Sequence, residues 1–433
     1  MKKNYLFGML ALAAMTMVGC SNDEVVNDYS QDNAIQFGTY VGRGASSRAH
    51  VIDTKTLGTE GFGVFAYYTN TDDFDASKHD PNFMYDQKVT ASSNNWVEET
   101  TDNSGSVTPG YYTEWTYDPI KYWPNNVNDK VSFFAYAPHS TTTNSNVTVA
   151  NADGKAGYPI VTFEVEHEDV TKQSDLLWAA PVLNLSKNNS ENPIDVDDKV
   201  KFVFKHALSR IAFEVQTMID KVNPDKDGDV DSDTDNGLAL DQYTKVVVKQ
   251  VTLSGNFYTG GIMTWDTSGK AAVTGTSPTA TTFTLSSANF YDPKTINWGS
   301  KTPQYSMLGQ SVDETEEQLN AEDSYIMVVP QNFSTEDLTI NIKYDVVTQD
   351  DALASGYSKV ENDIKTTFSG VNFLPNKAYK FSLHLGLTTV KLTASVDGWE
   401  EGTDYSVNLP INTIGTDNSS EGVEEGTGTA SNN

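Results

Sequence analysis

Tyr158-Pro-Ile-Val-Thr-Phe-Glu-Val-Glu166 puts Val161, Phe163 and Val165 on one side of an extended chain and Ile160, Thr162, Glu164 and Glu166 on the other. A period of two with β-branched and aromatic residues is the signature of a half-buried strand. The same reading extends outward along the chain. Gly61-Phe-Gly-Val-Phe-Ala-Tyr-Tyr68 and Val131-Ser-Phe-Phe-Ala-Tyr-Ala137, closed by Pro138, read as strands. Lys201-Phe-Val-Phe-Lys205 and Ile211-Ala-Phe-Glu-Val215 read as a candidate strand pair. Further strands are expected over 245–253, 282–285, 324–329, 338–347, 378–385 and 390–396. Asn, Asp, Gly, Ser and Thr clusters separate them, as turns require. Helical periodicity is almost absent, and many short strands with polar turns predict an all-β protein built of β-sandwiches.

At 433 residues the chain is too long for one ordinary core and suits two domains with tails. Its 29 Lys and Arg against 59 Asp and Glu leave a net charge of −30. A surface so acidic repels phosphate backbones, so no nucleic-acid partner is expected.

Lys2 and Lys3, an apolar run from Tyr5 to Val18, and Gly19 before Cys20 describe a secretory signal over residues 1–19. The run is too short for a spanning helix. Cys20 is the one cysteine, so an internal disulfide is impossible. Met17-Val-Gly-Cys20 resembles a bacterial lipobox, with Met17 a less usual residue there. The resemblance implies that Cys20 is acylated, for example with palmitate, and holds the chain to outer-membrane lipid. Ser21-Asn-Asp-Glu24 resembles the acidic signal that sends Bacteroidetes lipoproteins to the cell surface.

Five segments, in order, resemble the Bacteroidetes fimbrillin family, the subunits of type V pili. They are Ala34-Ile-Gln-Phe-Gly38 with Ser47-Arg-Ala49 after it; Lys121-Tyr-Trp-Pro124 with 131–138; Asp175-Leu-Leu-Trp-Ala179; Phe202-Val-Phe-Lys-His-Ala-Leu-Ser-Arg-Ile211; and Tyr379–Leu385 with Val390–Trp399. The resemblance implies two transthyretin-like β-sandwich domains in tandem, over 34–198 and 199–400 after a lipidated tether at 20–33. It also implies a lipoprotein precursor on the outer membrane that an Arg-specific protease cuts near its start. The cut removes the first strand, and a neighbour's C-terminal strand fills the groove in a cell-surface fimbrium. In this chain the cut falls at Arg48 or Arg43, and Ile35 and Phe37, with Tyr40 beside them, face inward from the displaced strand.

The candidate donor lies in 401–414, where Tyr405, Val407, Leu409 and Ile411 share a face. The alternative is that 404–412 form the last strand of their own domain. An acidic tail, 415–433, follows and is expected to be disordered. It departs from the family's stalk subunits and leaves room for a pilus tip or surface lipoprotein that binds a glycan or host protein.

No signature of catalysis emerges. There is no His-Glu-x-x-His, Gly-x-Ser-x-Gly or phosphate-cradling Gly-Lys-Ser/Thr stretch, and an enzyme is not expected. His206, between Phe204 and Leu208, reads as packed or bonded to backbone. The seven tryptophans read as core. Asn223, Asp225, Asp227 and Asp229 stand at positions 1, 3, 5 and 7 of a calcium loop, with Gly228 at 6. Thr234 stands where a bidentate Glu belongs and helical flanks are missing, which favours a solvated acidic loop over calcium. Replacing Cys20 by Ser is expected to abolish incorporation of labelled palmitate and to leave the protein unanchored, read by detergent partition and cell fractionation.

Overall fold

In Lys199-Val-Lys-Phe-Val-Phe-Lys-His206 every second side chain is buried, which fixes the strand's inner face as Val200, Phe202, Phe204 and His206. The same alternation recurs over 160–164 and 338–344, whereas 62–67 and 131–137 are buried on both sides. The computed structural model describes residues 33–41, 51–101, 107–108, 110–142, 146–150, 154–187, 199–217, 244–286, 305–307, 325–333, 337–385, 390–398 and 404–407. These are mainly strands, as the sequence pattern requires.

The first sheet contains β1 (Gln36–Val41), β2 (Phe62–Tyr68), β3 (Met84–Val89), β8 (Val131–Ala137), β11 (Leu177–Ala179), β12 (Val182–Leu185) and β13 (Lys199–His206). Its order is β1-β13-β11-β8-β2-β3, with β12 also on β8. A second sheet orders β9 (Val147–Val149), β10 (Ile160–Glu164), β16 (Gly260–Trp265) and β17 (Ala271–Gly275) as β17-β16-β10-β9. The third holds β14 (Ser209–Thr217), β19 (Tyr305–Met307), β20 (Ile326–Val328), β25 (Lys377–Leu385), β26 (Val390–Gly398) and β27 (Asp404–Val407). It runs β19-β14-β25-β26-β27, and β20 pairs with β14. The fourth is β18-β15-β22-β23, from β15 (Thr244–Phe257), β18 (Thr279–Ser286), β22 (Leu338–Gln349) and β23 (Tyr357–Phe368). Short ladders join β4 (Trp96–Val97) to β7 (Tyr111–Tyr112), β5 (Thr100–Thr101) to β6 (Val107–Thr108) and β21 (Gln331–Phe333) to β24 (Val371–Phe373).

Three apolar cores follow from these layers. The third and fourth sheets close on Phe213, Leu253, Phe283, Ile340, Tyr344 and Phe381. One face of the first sheet buries Phe37, Phe62, Phe133, Phe202 and Phe204 beneath Leu57, Trp115 and Trp123. Its other face buries Phe65, Tyr67, Phe134 and Tyr136 against Phe163, Met263 and Trp265. Tryptophans 115, 123 and 265 are therefore core residues, while Trp96 and Trp178 are half-buried.

The structure departs from the sequence reading in four places. Residues 199–206 pair with β1 and β11, so the division placed between 198 and 199 does not follow the sheets. The chain leaves the first sheet after His206 and enters the third at Ser209. Residues 201–205 and 211–215 consequently lie in two different sheets and are not partners. Tyr40 is 40% exposed and Val41 takes the inner position, because residues 35, 37, 39 and 41 share one parity. One short helix, α1 (Thr54–Glu60), was not legible in the apolar spacing. It is started by Asp53, whose carboxylate accepts from the Thr56 amide while the Thr56 hydroxyl accepts from the Asp53 amide.

The two halves of the chain share a sheet and a core. β10 pairs with β16 across five registered positions. The Trp265 indole donates to the Ala179 carbonyl at 2.9 Å, and the Gln173 amide side chain exchanges two bonds with the Met327 backbone, 2.7 and 3.0 Å. A fragment of residues 33–207 is therefore expected to bind a hydrophobic dye and to melt without a cooperative transition, checked by fluorescence and calorimetry.

Candidate functional site: the slot of the first strand

β1 occupies the outer edge of the first sheet and forms a ladder with one strand, β13, in parallel register from Gln36↔Lys199 to Val41↔Phe204. Parallel ladders are slightly weaker per residue than antiparallel ones, and an edge strand is held on one side only. Backbone pairing is thus a modest part of what fixes β1. The apolar face supplies the rest. Ile35 is fully buried and Phe37 is 1% exposed. The Phe37 ring lies in an aromatic box, stacked on Phe202 at 5.8 Å and edge-on to Tyr117 at 5.4 Å, Phe62 at 6.2 Å and Phe133 at 6.2 Å. Burying each of Ile35, Phe37 and Val41 contributes about 1.5–3 kcal/mol.

Both ends of β1 are pinned. At its start the Ile35 amide donates to the Lys121 carbonyl and the Trp123 amide to the Asn33 carbonyl, each 2.9 Å. The Tyr117 hydroxyl donates to the Ile35 carbonyl at 2.9 Å, and burial pushes that phenol up to about 12, so it remains a neutral donor at physiological pH. At its end the Thr54 hydroxyl accepts from the Val41 amide at 3.0 Å and donates to the Val41 carbonyl at 2.6 Å. Between these pins sits a flaw. The Thr39 hydroxyl is buried and has no hydrogen-bond partner among the described residues. Leaving a hydroxyl so costs about 1–3 kcal/mol.

The chain resumes at Val51 under a separate clamp. The Asp175 carboxylate, fully buried, accepts from the Ile52 amide at 3.1 Å, from its neighbour Leu176 at 2.8 Å and from His206 Nδ1 at 2.7 Å. Through Nδ1, His206 therefore bonds a side-chain carboxylate and not the backbone carbonyl expected of it. Among the described residues no group of three or more His, Cys, Asp or Glu could hold a metal, and no helix is long and apolar enough to cross a membrane.

Other expected site residues distribute as follows. Ile35 and Phe37 face inward as anticipated. Cys20, Arg43, Arg48, the loop residues Asn223, Asp225, Asp227 and Asp229, and Leu409 and Ile411 lie outside the described residues. Tyr405 and Val407 belong to β27, which is registered on β26 from Asp397↔Asp404 to Ala394↔Val407. Residues 404–407 of the segment read as a donor therefore pair with the edge of its own third sheet in the single chain. Thr54, Tyr117 and the Asp175–His206 pair were not singled out beforehand. Asp175 and His206 did stand inside two of the five resembling segments, and Lys121 and Trp123 inside a third.

A family model described as fimbrillin-like matches residues 47–399. The chain belongs to the fimbrillin-like family. Membership places it among the structural subunits of fimbriae. A relative, fimbrium subunit Fim1C of Phocaeicola vulgatus, is 25% identical to this fimbrillin over 421 residues, 92% of this chain and 98% of the relative. A crystal structure of a fimbrial protein from Bacteroides vulgatus shares the fold with a TM-score of 0.55 at 19% identity, over 85% of this fimbrillin and 100% of that chain. The family match starts six residues after β1 ends and stops five residues before β27 begins. Both segments at issue thus lie outside the matched body.

Replacing Phe37 by Ala in this fimbrillin empties the aromatic box. It is expected to lower stability by about 3–5 kcal/mol, measured by equilibrium urea unfolding of the intact chain.

Proposed function

We propose that this fimbrillin is exported as a lipoprotein through Cys20, cut by an Arg-specific protease at Arg48 or Arg43, and built into a cell-surface fimbria by exchange of β1 for a segment of a neighbouring subunit. The observation that carries this reading is the construction of the β1 slot. One edge strand, laddered to a single neighbouring strand, closes an apolar groove whose floor is aromatic. The chain on the far side of the expected cut is fastened independently, by Asp175 to Ile52 and by the Asp53 cap. Removing β1 would uncover unpaired backbone on β13 and an apolar slot, which together template strand addition. The role is structural, and its partners are other fimbrial subunits.

A second reading draws on β27. Because Asp404–Val407 pair with β26, a subunit that kept this segment at home would end a fibre or stand as a surface lipoprotein. Its ligand would be a glycan or host protein. The acidic loop at 223–231 adds calcium to the candidate ligands under either reading.

Recovery of fimbriae from cells tests the first reading. Subunits in the fibre are expected to begin at Ala49 or Gly44, as read by N-terminal sequencing, and chains lacking residues 404–433 are expected to stop fibre growth. Intact acylated Cys20 on subunits within a fibre, or fibres of normal length from the deletion, would overturn it.

A further inference from the structure

The slot under Thr39 is filled by the wrong chemistry. Thr39 shares the inward parity of Phe37 and Val41 and is registered against Phe202, yet its buried hydroxyl finds no partner among the described residues. Its neighbour Gly38 compounds this. Gly38 is not in the left-handed region, and a Cβ there would meet no atom closer than the flexible Lys201 Cγ at 3.3 Å. A glycine that the backbone does not require leaves a strand weaker than alanine would. The middle of β1 is therefore poorly matched to the groove that its ends and Phe37 hold firmly.

The C-terminal segment supplies what β1 lacks. With the chain laid on β13 in the direction of β1, and Tyr405 in place of Phe37 in the aromatic box, Val407 stands where Thr39 is. Leu409 then stands where Val41 is, and Ser406 replaces Gly38. Valine is close to threonine in shape and carries no hydroxyl, so the slot is filled without an unmet polar group. Pro410 falls one residue beyond the last ladder position, Val41↔Phe204. The register two residues away, with Tyr405 at Ile35, would take Tyr405 out of the Phe37 box and put Pro410 opposite Val203 inside the ladder, which an edge strand tolerates only where the missing N–H faces solvent.

We propose that the Thr39 slot selects the incoming segment: it takes Val407 of a second copy of this chain, with Tyr405 in the Phe37 box and Asn408 opposite Val203. Thr39 and Gly38 make β1 a placeholder that the better-fitting segment displaces. This rests on the strand-exchange reading above and adds its register and its selecting residue.

Thr39→Val tests it in the full-length chain. The variant is expected to raise Tm by roughly 2–4 °C. After Arg-specific proteolysis it is expected to release the β1 fragment about tenfold more slowly than wild type, a factor expected from satisfying one buried hydroxyl. Gly38→Ala, which alters the same strand without touching the slot, is expected to act in the same direction and guards against a single misbehaving variant. In assembled trimmed subunits, Asn408→Cys with Val203→Cys is expected to form an intersubunit disulfide, and Asn408→Cys with Lys201→Cys is not. An unchanged Tm in Thr39→Val, equal release rates, or a link to position 201 instead of 203 would overturn the proposal while leaving exchange itself standing. Trimmed wild-type subunits that never release β1 would overturn the exchange reading and this inference together.

Discussion

The parallel ladder between β1 and β13 is the contact on which the N-terminal half depends. It is the one place where the first sheet is closed by a segment that precedes the matched body of the family. Its strength is lopsided. Phe37 and the pins at Ile35 and Val41 supply most of the hold, while Gly38 and Thr39 contribute little. A strand held at its ends and by one large side chain can be kept in place until its connection is cut. Before the cut, β1 is intramolecular and dissociation gains little entropy. After it, the same contacts must hold a separate fragment, and every weakness counts.

The five sequence segments that resemble fimbrillins acquire a common meaning in three dimensions. Lys121 and Trp123 pair with the backbone that leads into β1. Asp175 and His206 form the buried bond that fastens the chain beyond the expected cut. Phe202 and Phe204 line the groove and then the chain crosses to the third sheet, where Ile211 and Phe213 enter a different core. β25 and β26 then build the sheet on which β27 rests. Residues scattered over much of the sequence thus converge on the two elements that an exchange would move.

Much of this was legible in the chain itself. Alternation marked strands such as β10, β13 and the start of β22, where every other residue is buried, while β2 and β8 read as unbroken apolar runs because both faces of the first sheet are covered. Ile35 and Phe37 announced their inward face by the same parity. What alternation does not encode is which strand lies beside which. Lys201–Lys205 and Ile211–Val215 looked like partners because they are close in sequence with equal periods, yet the two-residue link Ala207-Leu208 carries the chain from one sheet into another. The hairpin β16–β17 pairs with β10 from a hundred residues away, which no local pattern marks. Thr54, Tyr117 and Asp175 were hidden for another reason. Each acts by satisfying a specific backbone or ring group outside its own strand or turn, and a lone polar residue gives no sign of its partner.

The direct run of β13 into β14 bears on mechanics. β13 passes from the slot into the third sheet with only Ala207 and Leu208 between, and β14 is bound in parallel to β25 over nine positions. In a fibre joined through the slot, tension would pull the inserted segment back along its own axis while β14 drew β13 the other way. The bonds of that junction would be strained side by side in shear and would not open one after another like a zip. Such a filament would resist flow over the cell far better than the affinity of its short linking strand suggests.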